Sequence, residues 1–356
     1  MNYRLSTLLA AEAANTAGTK TIDINLAKPI SRITVQMKGT NSTNVPVAHP
    51  AKMISKIEVV DGSSVLFGLS GIQCQALNFF ESGRLPINLM NYITGVQCAA
   101  TFEINFGRYL WDEVLAFDPS KFNNPQLKIT HNLALGGSTP TSAELSVFAH
   151  VFDQKEAKPT GFLLSKEQYS YTLAASAKEN IDLATDMPYR FLMLQSLTAA
   201  KQPWENFNKL KLSEDNDQHV IIADEKTSDL FKLWHDHPRI LEQILAADLD
   251  AAPTIYCTPG YLIAVAALGL GAADTALFTA QGYGGAFAAT GTNGASAQMN
   301  VTGISPHNAL AIPMGQKDLI TDFYDVSKIG DLRLTVTAGS GASGTCEICS
   351  QQMRTY

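Results

Sequence analysis

The sequence predicts an all-β chain built as a double jelly roll, two tandem eight-stranded antiparallel β-sandwiches with a few short helices. Three observations carry that expectation. Apolar and polar residues alternate along most segments, the period of two that a strand with one wet face imposes. Blocks of the first half return in the second half in the same order, the mark of a tandem duplication. The chain has 356 residues, long for one core, so two domains are expected.

The repeat is clearest where FDPSKFNNPQLKIT at 117–130 meets YDVSKIGDLRLTVT at 324–337. Phe117 matches Tyr324, Asp118 matches Asp325, and Ser120-Lys121 matches Ser327-Lys328; after a short gap Leu127–Thr130 matches Leu332–Thr335. Near the start of each half, Ile22, Pro29 and Gln36 share one offset with Ile181, Pro188 and Gln195, and the Lys56 and Lys209 blocks follow.

Taken in order, residues 1–18 read as an N-terminal arm. A signal-peptide-like run there is broken by Ser6, Thr7 and Glu12, while Leu5, Leu8 and Leu9 fall on one helical face. The first sandwich is expected over 19–158. Its strands run near 22–26, 33–37, 102–106 and 127–131, with a helix over 69–81. Its closing strand, 143–153, has Leu145, Val147 and Val151 on one face and Phe148 and Phe152 on the other, so it is expected to be covered on both sides. The second sandwich is expected over 159–356, with a helix over 226–246 divided at Pro238 and a closing strand at 345–353. It carries a large insertion at about 240–316, a segment without Lys or Arg and dense in Ala, Gly and Thr. Within it, Tyr261–Ala273 is apolar but shorter than a bilayer span, so buried strands or a core helix are expected and no transmembrane segment.

Composition narrows function. A net charge of −7 and no basic run argue against a sequence-specific nucleic-acid surface. Charged residues are only 17%, so either the surface carries many Ser, Thr, Asn, Gln and Ala side chains or much of it is covered by neighbouring copies. Five scattered cysteines do not make a disulfide framework and fit synthesis in a reducing compartment.

The stretches NIDLATDMPYRFLMLQSLTAA (180–200) and LRLTVTAGSGASGTCEICSQ (332–351) resemble the second domain and C-terminus of corticovirus coat proteins, from icosahedral DNA bacteriophages with an internal membrane. The 240–316 insertion departs from that family's more compact pattern. The resemblance implies a major capsid protein located in the virion and assembled in the host cytoplasm. Its implied partners are further copies of itself, neighbouring capsomers, penton and minor capsid proteins, and the viral membrane through the N-terminal arm. Two similar upright sandwiches per chain, taken three times, give six lobes; the duplication therefore points to homotrimeric, pseudo-hexagonal capsomers.

A search for chemistry returns little, and no catalytic, cofactor-binding or metal residues are expected. Cys346 and Cys349 have CxxC spacing, but in a strand that separation sends the sulfurs to opposite faces. His235-Asp236-His237 lacks a third ligand and reads as a solvated helix end. His150 reads as a hydrogen-bonded core residue. Asp215-Asn216-Asp217 looks like the start of a calcium loop, but Val220 and Lys226 stand where Gly and Glu are needed, so a turn is expected. Gly282–Gly285 lacks the helix a dinucleotide site requires. The competing class is a secreted tandem jelly-roll protein that binds glycans or cleaves glycan amides. Three Trp and scattered acids weigh against it.

Overall fold

The computed structural model describes residues 1–233, 240–249, 253–270, 284–289 and 296–356. The first half contains β1 (Tyr3–Ala13), β2 (Gly18–Asp23), β3 (Ile30–Asn41), β4 (Ile54–Asp61), β5 (Ser64–Leu69), α1 (Gly71–Ser82), β6 (Met90–Tyr92), β7 (Gln97–Asn105), β8 (Pro125–His131) and β9 (Pro140–Phe152). The second half begins with β10 (Gly161–Thr172), β11 (Lys178–Leu183), β12 (Tyr189–Gln195), α2 (Pro203–Asn206), β13 (Lys209–Glu214), β14 (His219–Lys226) and α3 (Thr227–Leu233). It continues through β15 (Leu241–Asp248), β16 (Thr254–Tyr256), β17 (Pro259–Leu270), β18 (Ala286–Ala288) and β19 (Ser296–Pro306). It closes with β20 (Ala309–Pro313), β21 (Leu332–Thr337) and β22 (Thr345–Thr355).

The first sandwich pairs the sheet β1-β9-β3-β7 with β2-β8-β4-β5. The second pairs β10-β22-β12-β20 with β11-β21-β13-β14, the same order strand for strand. A helix follows the β4–β5 hairpin in one half and the β13–β14 hairpin in the other. Ile33, Val35, Phe102 and Ile104 fill the first core, and Leu192, Leu194, Leu332 and Leu334 the second, all without exposure. Each such side chain contributes about 1.5–3 kcal/mol by leaving water.

The repeated phrase has one structural meaning in both halves. Phe117 and Ile30 exchange backbone hydrogen bonds of 2.7 and 2.9 Å at the start of β3, and Tyr324 and Tyr189 do the same at 3.0 and 2.9 Å at the start of β12. One residue on, Asp118 accepts from the Ser120 amide and Asp325 from the Ser327 amide, so each carboxylate closes the turn that feeds β8 or β21.

Four expectations need correction. Residues 3–13 are not a helical arm but an edge strand paired antiparallel with β9. Bulges at Thr7/Leu9 and Leu9/Glu12 let both Leu8 and Leu9 pack on the core, and Tyr3 stacks on Trp111 at 4.1 Å. The exposed edge of β9 supplies a ladder of partners that an isolated eleven-residue helix lacks. Second, the helix is described only over Thr227–Leu233, and 241–248 is a strand rather than the second part of a helix. Leu241, Gln243, Leu245 and Ala247 face inward, and β19 and β6 on either side settle an apolar spacing that also fits a helix. Pro238 lies outside the described residues. Third, the insertion stops short of 316: β20 is a strand of the second sandwich, paired with β12. Its own sheet, β17-β19-β15-β6, recruits β6 from the first half. The apolar stretch at 261 onward forms part of β17, whose residues 261–267 are partly or fully exposed, with Ile263 56% open to solvent; residues 271–273 are not described.

Fourth, the strands covered by both sandwich cores belong to the second half, β12 among them, rather than β9. Phe191 and Met193 join the first core, while Tyr189, Leu192 and Leu194 join the second. In β9, Phe152 is instead covered by Tyr3 and Trp111 within its own half.

Candidate functional site at the joint between the sandwiches

The two sandwiches are joined edge to edge. Ser165 of β10 lies beside Phe67 of β5, and Lys166 beside Gly68, in parallel register, making one eight-stranded sheet. Helix α1 fills the angle behind that seam. Its start is fixed by a capping box: the Ser70 hydroxyl accepts from the Gln73 amide at 3.3 Å, and the Gln73 side chain accepts from the Ser70 amide at 2.8 Å. Gly71 is pressed so closely on the preceding turn that a Cβ would lie 2.5 Å from the Ala51 carbonyl oxygen. The buried residues Phe79 and Phe80 of α1 then share a core with Phe162, Leu164, Phe191, Met193 and Ala311 of the second sandwich.

A buried polar cluster sits in this apolar contact. Arg190 of β12 is wholly buried. It donates to Gln351 Oε1 at 2.8 Å, to the Lys317 carbonyl at 2.7 Å and to the Arg108 carbonyl at 3.3 Å. Its charge faces Glu81 of α1 at 3.6 Å and Asp318 at 3.7 Å. Glu81 also accepts from Gln351 at 2.6 Å and from Asn105 at 2.7 Å, so the carboxylate bridges α1, β7 and β22. Burial lowers the Arg190 pKa, and Glu81 and Asp318 pull it back up. Arg108 clamps Asp112 through two bonds, 2.7 and 2.9 Å, and donates to the Asp318 carbonyl. These groups make the seam directional, since a slip of either sandwich leaves buried charge unpaired.

At the edge of the seam a cleft of about 850 Å³ is lined by Lys56, Lys166 and Arg354 together with Glu58, Glu167 and Glu347. Gln73 donates to both Glu167 and Glu347, at 2.7 and 2.8 Å. Both charge signs line this cleft, so it favours neither an anion nor a cation.

The sequence candidates are scattered. Cys346 lies in the second core and Cys349 in the first, on opposite faces of β22. Both are buried, and burial raises both thiol pKa values, that of Cys346 to about 12. His150 is half-buried, 3.5 Å from the Thr34 hydroxyl, with its pKa lowered by burial and then by Arg32. Asp215, Asn216 and Asp217 form the β13–β14 turn at φ of 48, 55 and 69°. There Asp215 accepts from the Gly330 amide, and Asp217 accepts from Ser213 and pairs with Lys211. His235, Asp236, His237, Gly282 and Tyr283 lie outside the described residues. Among the described residues no group of three or more His, Cys, Asp or Glu side chains is placed to hold a metal ion.

Sequence reasoning missed Arg190, Glu81 and Gln351. The available signal was Arg190 itself, a lone charge in the otherwise apolar run Tyr189–Leu194.

The architecture, two eight-stranded sandwiches of identical strand order joined upright by one helix-backed seam, is the double jelly roll. Solved structures share it over nearly the full length. The major capsid protein of Bacteriophage PM2 matches with a TM-score of 0.56 at 9% identity, covering 99% of this chain and 98% of that one. The VP54 protein of PBCV-1 matches with a TM-score of 0.57 at 12% identity, covering 99% and 94%. The MCP of Sulfolobus Turreted Icosahedral Virus matches with a TM-score of 0.57 at 11% identity, covering 99% and 96%. No family model and no curated protein matches the chain by sequence.

Proposed function

We propose that this chain is a major capsid protein that tiles an icosahedral virus shell as pseudo-hexagonal homotrimers. The observation that carries the reading is the element-for-element repetition of the sandwich, locked by a seam that has no slack. Two like lobes held rigidly side by side are what a threefold assembly needs to present a nearly sixfold outline. The likeness to capsid proteins of three viruses supports the same reading, and the scattered titratable groups among the described residues offer no competing catalytic constellation.

The inserted sheet supplies a contact surface for a neighbouring copy. Ile244 of β15 and Ile263 of β17 are exposed on this sheet, and Ile87 and Leu89 are exposed just ahead of β6. Ile87 is 84% exposed and Ile244 61%, and Glu242 is the one charged residue in β15, β17 and β19 besides Asp248. A face this apolar is uncommon on a monomer. We place it around the trimer axis, with β17 between subunits. Neighbouring capsomers and penton and minor capsid proteins complete the shell. The N-terminal segment expected to reach the viral membrane is β1, the edge strand of the first sandwich, so any such contact would be made by that edge. Light scattering on the purified chain tests the proposal. A mass three times that of the chain supports it, and a monomer under assembly conditions contradicts it.

A further inference from the structure

We propose that His49 and His307 form a proton-operated clasp that holds the inserted sheet against the first sandwich at neutral pH and loosens it in mild acid. The two rings meet edge to face, with centroids 4.7 Å apart and planes at 87°, and both are buried, 3% and 1% exposed. The contact is reciprocal. His49 precedes the short turn Pro50–Met53 of the first sandwich and reaches Thr258 Oγ1 of the insertion at 3.0 Å. His307 lies in the turn that ends the insertion and reaches Gln75 Oε1 of α1 in the first sandwich at 3.1 Å.

The surrounding bonds fix His49 as neutral and set Nε2 of His307 as a donor. His49 Nδ1 accepts the Ala51 amide at 3.0 Å, so it carries no proton and Nε2–H donates to Thr258. The amide group of Gln75 donates to Asn88 and to the Thr101 carbonyl, which leaves its Oε1 as the acceptor for His307 Nε2–H. A proton added to His49 Nδ1 would set donor against donor at Ala51, and a charge on either ring would lie beside the other ring.

Among the described residues no carboxylate bears directly on the pair. Lys52, on the turn after His49, repels a proton from both rings, and Glu347 of β22 attracts Lys52 instead. Gln75 and Asn88 of the first sandwich, and Gln243 and Thr258 of the insertion, face the cluster with uncharged groups. Cys257, next to Thr258, is kept protonated by burial. Burial lowers both histidine pKa values, that of His307 to about 3. An exposed histidine takes a proton near pH 6.5. Below that pH the opened form is therefore favoured up to about tenfold per pH unit for each ring, and about a hundredfold for two. The β6–β15 pairing contains none of these groups and remains as the hinge.

Hydrogen exchange on the full chain between pH 7 and 4.5, corrected for intrinsic rates, tests the clasp. It reads the amides of Ala51, Thr258 and His307, which bond to His49 Nδ1, Gln243 Oε1 and the Thr258 carbonyl. The expected result is a loss of their protection approaching tenfold or more per pH unit below about 6.5, at protection well below that of the Leu192 and Leu194 amides in β12 at every pH. Unchanged protection down to pH 5, or protection of the three amides no lower than that of the β12 amides throughout the range, overturns the proposal. The double variant His49→Asn/His307→Gln keeps polar partners but cannot titrate, and it should flatten the dependence; a wild-type slope in that variant also overturns it. If the variant does not fold, the wild-type comparison of the three amides with β12 decides alone.

Discussion

Arg190 of β12 donates from Nη1 to Gln351 Oε1 of β22 at 2.8 Å, with both side chains out of reach of water. Through Gln351 the contact passes to Glu81 on α1, so one chain of bonds ties the second sandwich to the helix of the first.

The first prediction follows from that chain. Arg190→Met leaves Glu81 buried without its cation and should cost about 3–5 kcal/mol in urea unfolding. Adding Glu81→Gln to that variant should recover most of the loss, since no buried charge is then left unpaired: Asp318 is largely exposed and Arg108 keeps Asp112. A loss under about 1 kcal/mol for Arg190→Met would show that the seam does not depend on the charge.

Helix α1 should also be sensitive at its first residue. Gly71→Ala places a methyl group 2.5 Å from the Ala51 oxygen and 2.7 Å from the Ile54 oxygen, both backbone atoms. Overpacking of this kind costs about 1–3 kcal/mol. A melting temperature equal to wild type would mean the turn yields freely.

Stability should fall as pH drops from about 6.5 to 5.5. His49, His131, His150 and His307 all have folded-state pKa values lowered first by burial. Such groups bind protons in the unfolded chain before the folded one, so their stabilisation is complete above the unfolded value near 6.5 and is lost below it. Each contributes a slope of up to about 1.4 kcal/mol per pH unit. Glu103 and Glu347 are shifted upward by burial and act in the opposite sense, nearer their ordinary carboxylate range. Urea midpoints measured at half-unit steps should therefore decline across this window; a flat or rising series would contradict the burial of the rings.

Thiol reactivity checks both cores at once. All five cysteines are free and buried, and desolvation raises the pKa of Cys98 to about 11 and of Cys346 to about 12. A chromogenic disulfide reagent at pH 7.5 should modify none of them in the native chain and all five after denaturation. Rapid native labelling would mean that one core is open.

Much of this fold is legible in the sequence because period two survives wherever one face is wet. Ile33 and Val35, or Leu332 and Leu334, announce their strands. The repeat is legible because Asp118 and Asp325 serve the same turn. Legibility fails where a partner decides. Leu241 and Leu245 fit a helix until β6 and β19 flank them, and Leu8 and Leu9 fit a helical face until β9 offers its edge. The joint is hidden for the same reason. Arg190 stands out as a charge among apolar neighbours, but Glu81 and Gln351 are remote in sequence and nothing local pairs them with it.

The central claim is that duplication turns a threefold assembly into a nearly sixfold tile. Electron microscopy of the purified capsomer, averaged in projection down its symmetry axis, tests it most directly. The account predicts threefold particles with six lobes in two alternating kinds and the inserted sheets gathered at the axis. Isolated two-lobed particles, or assemblies with the inserted sheets on the outer rim, would contradict it.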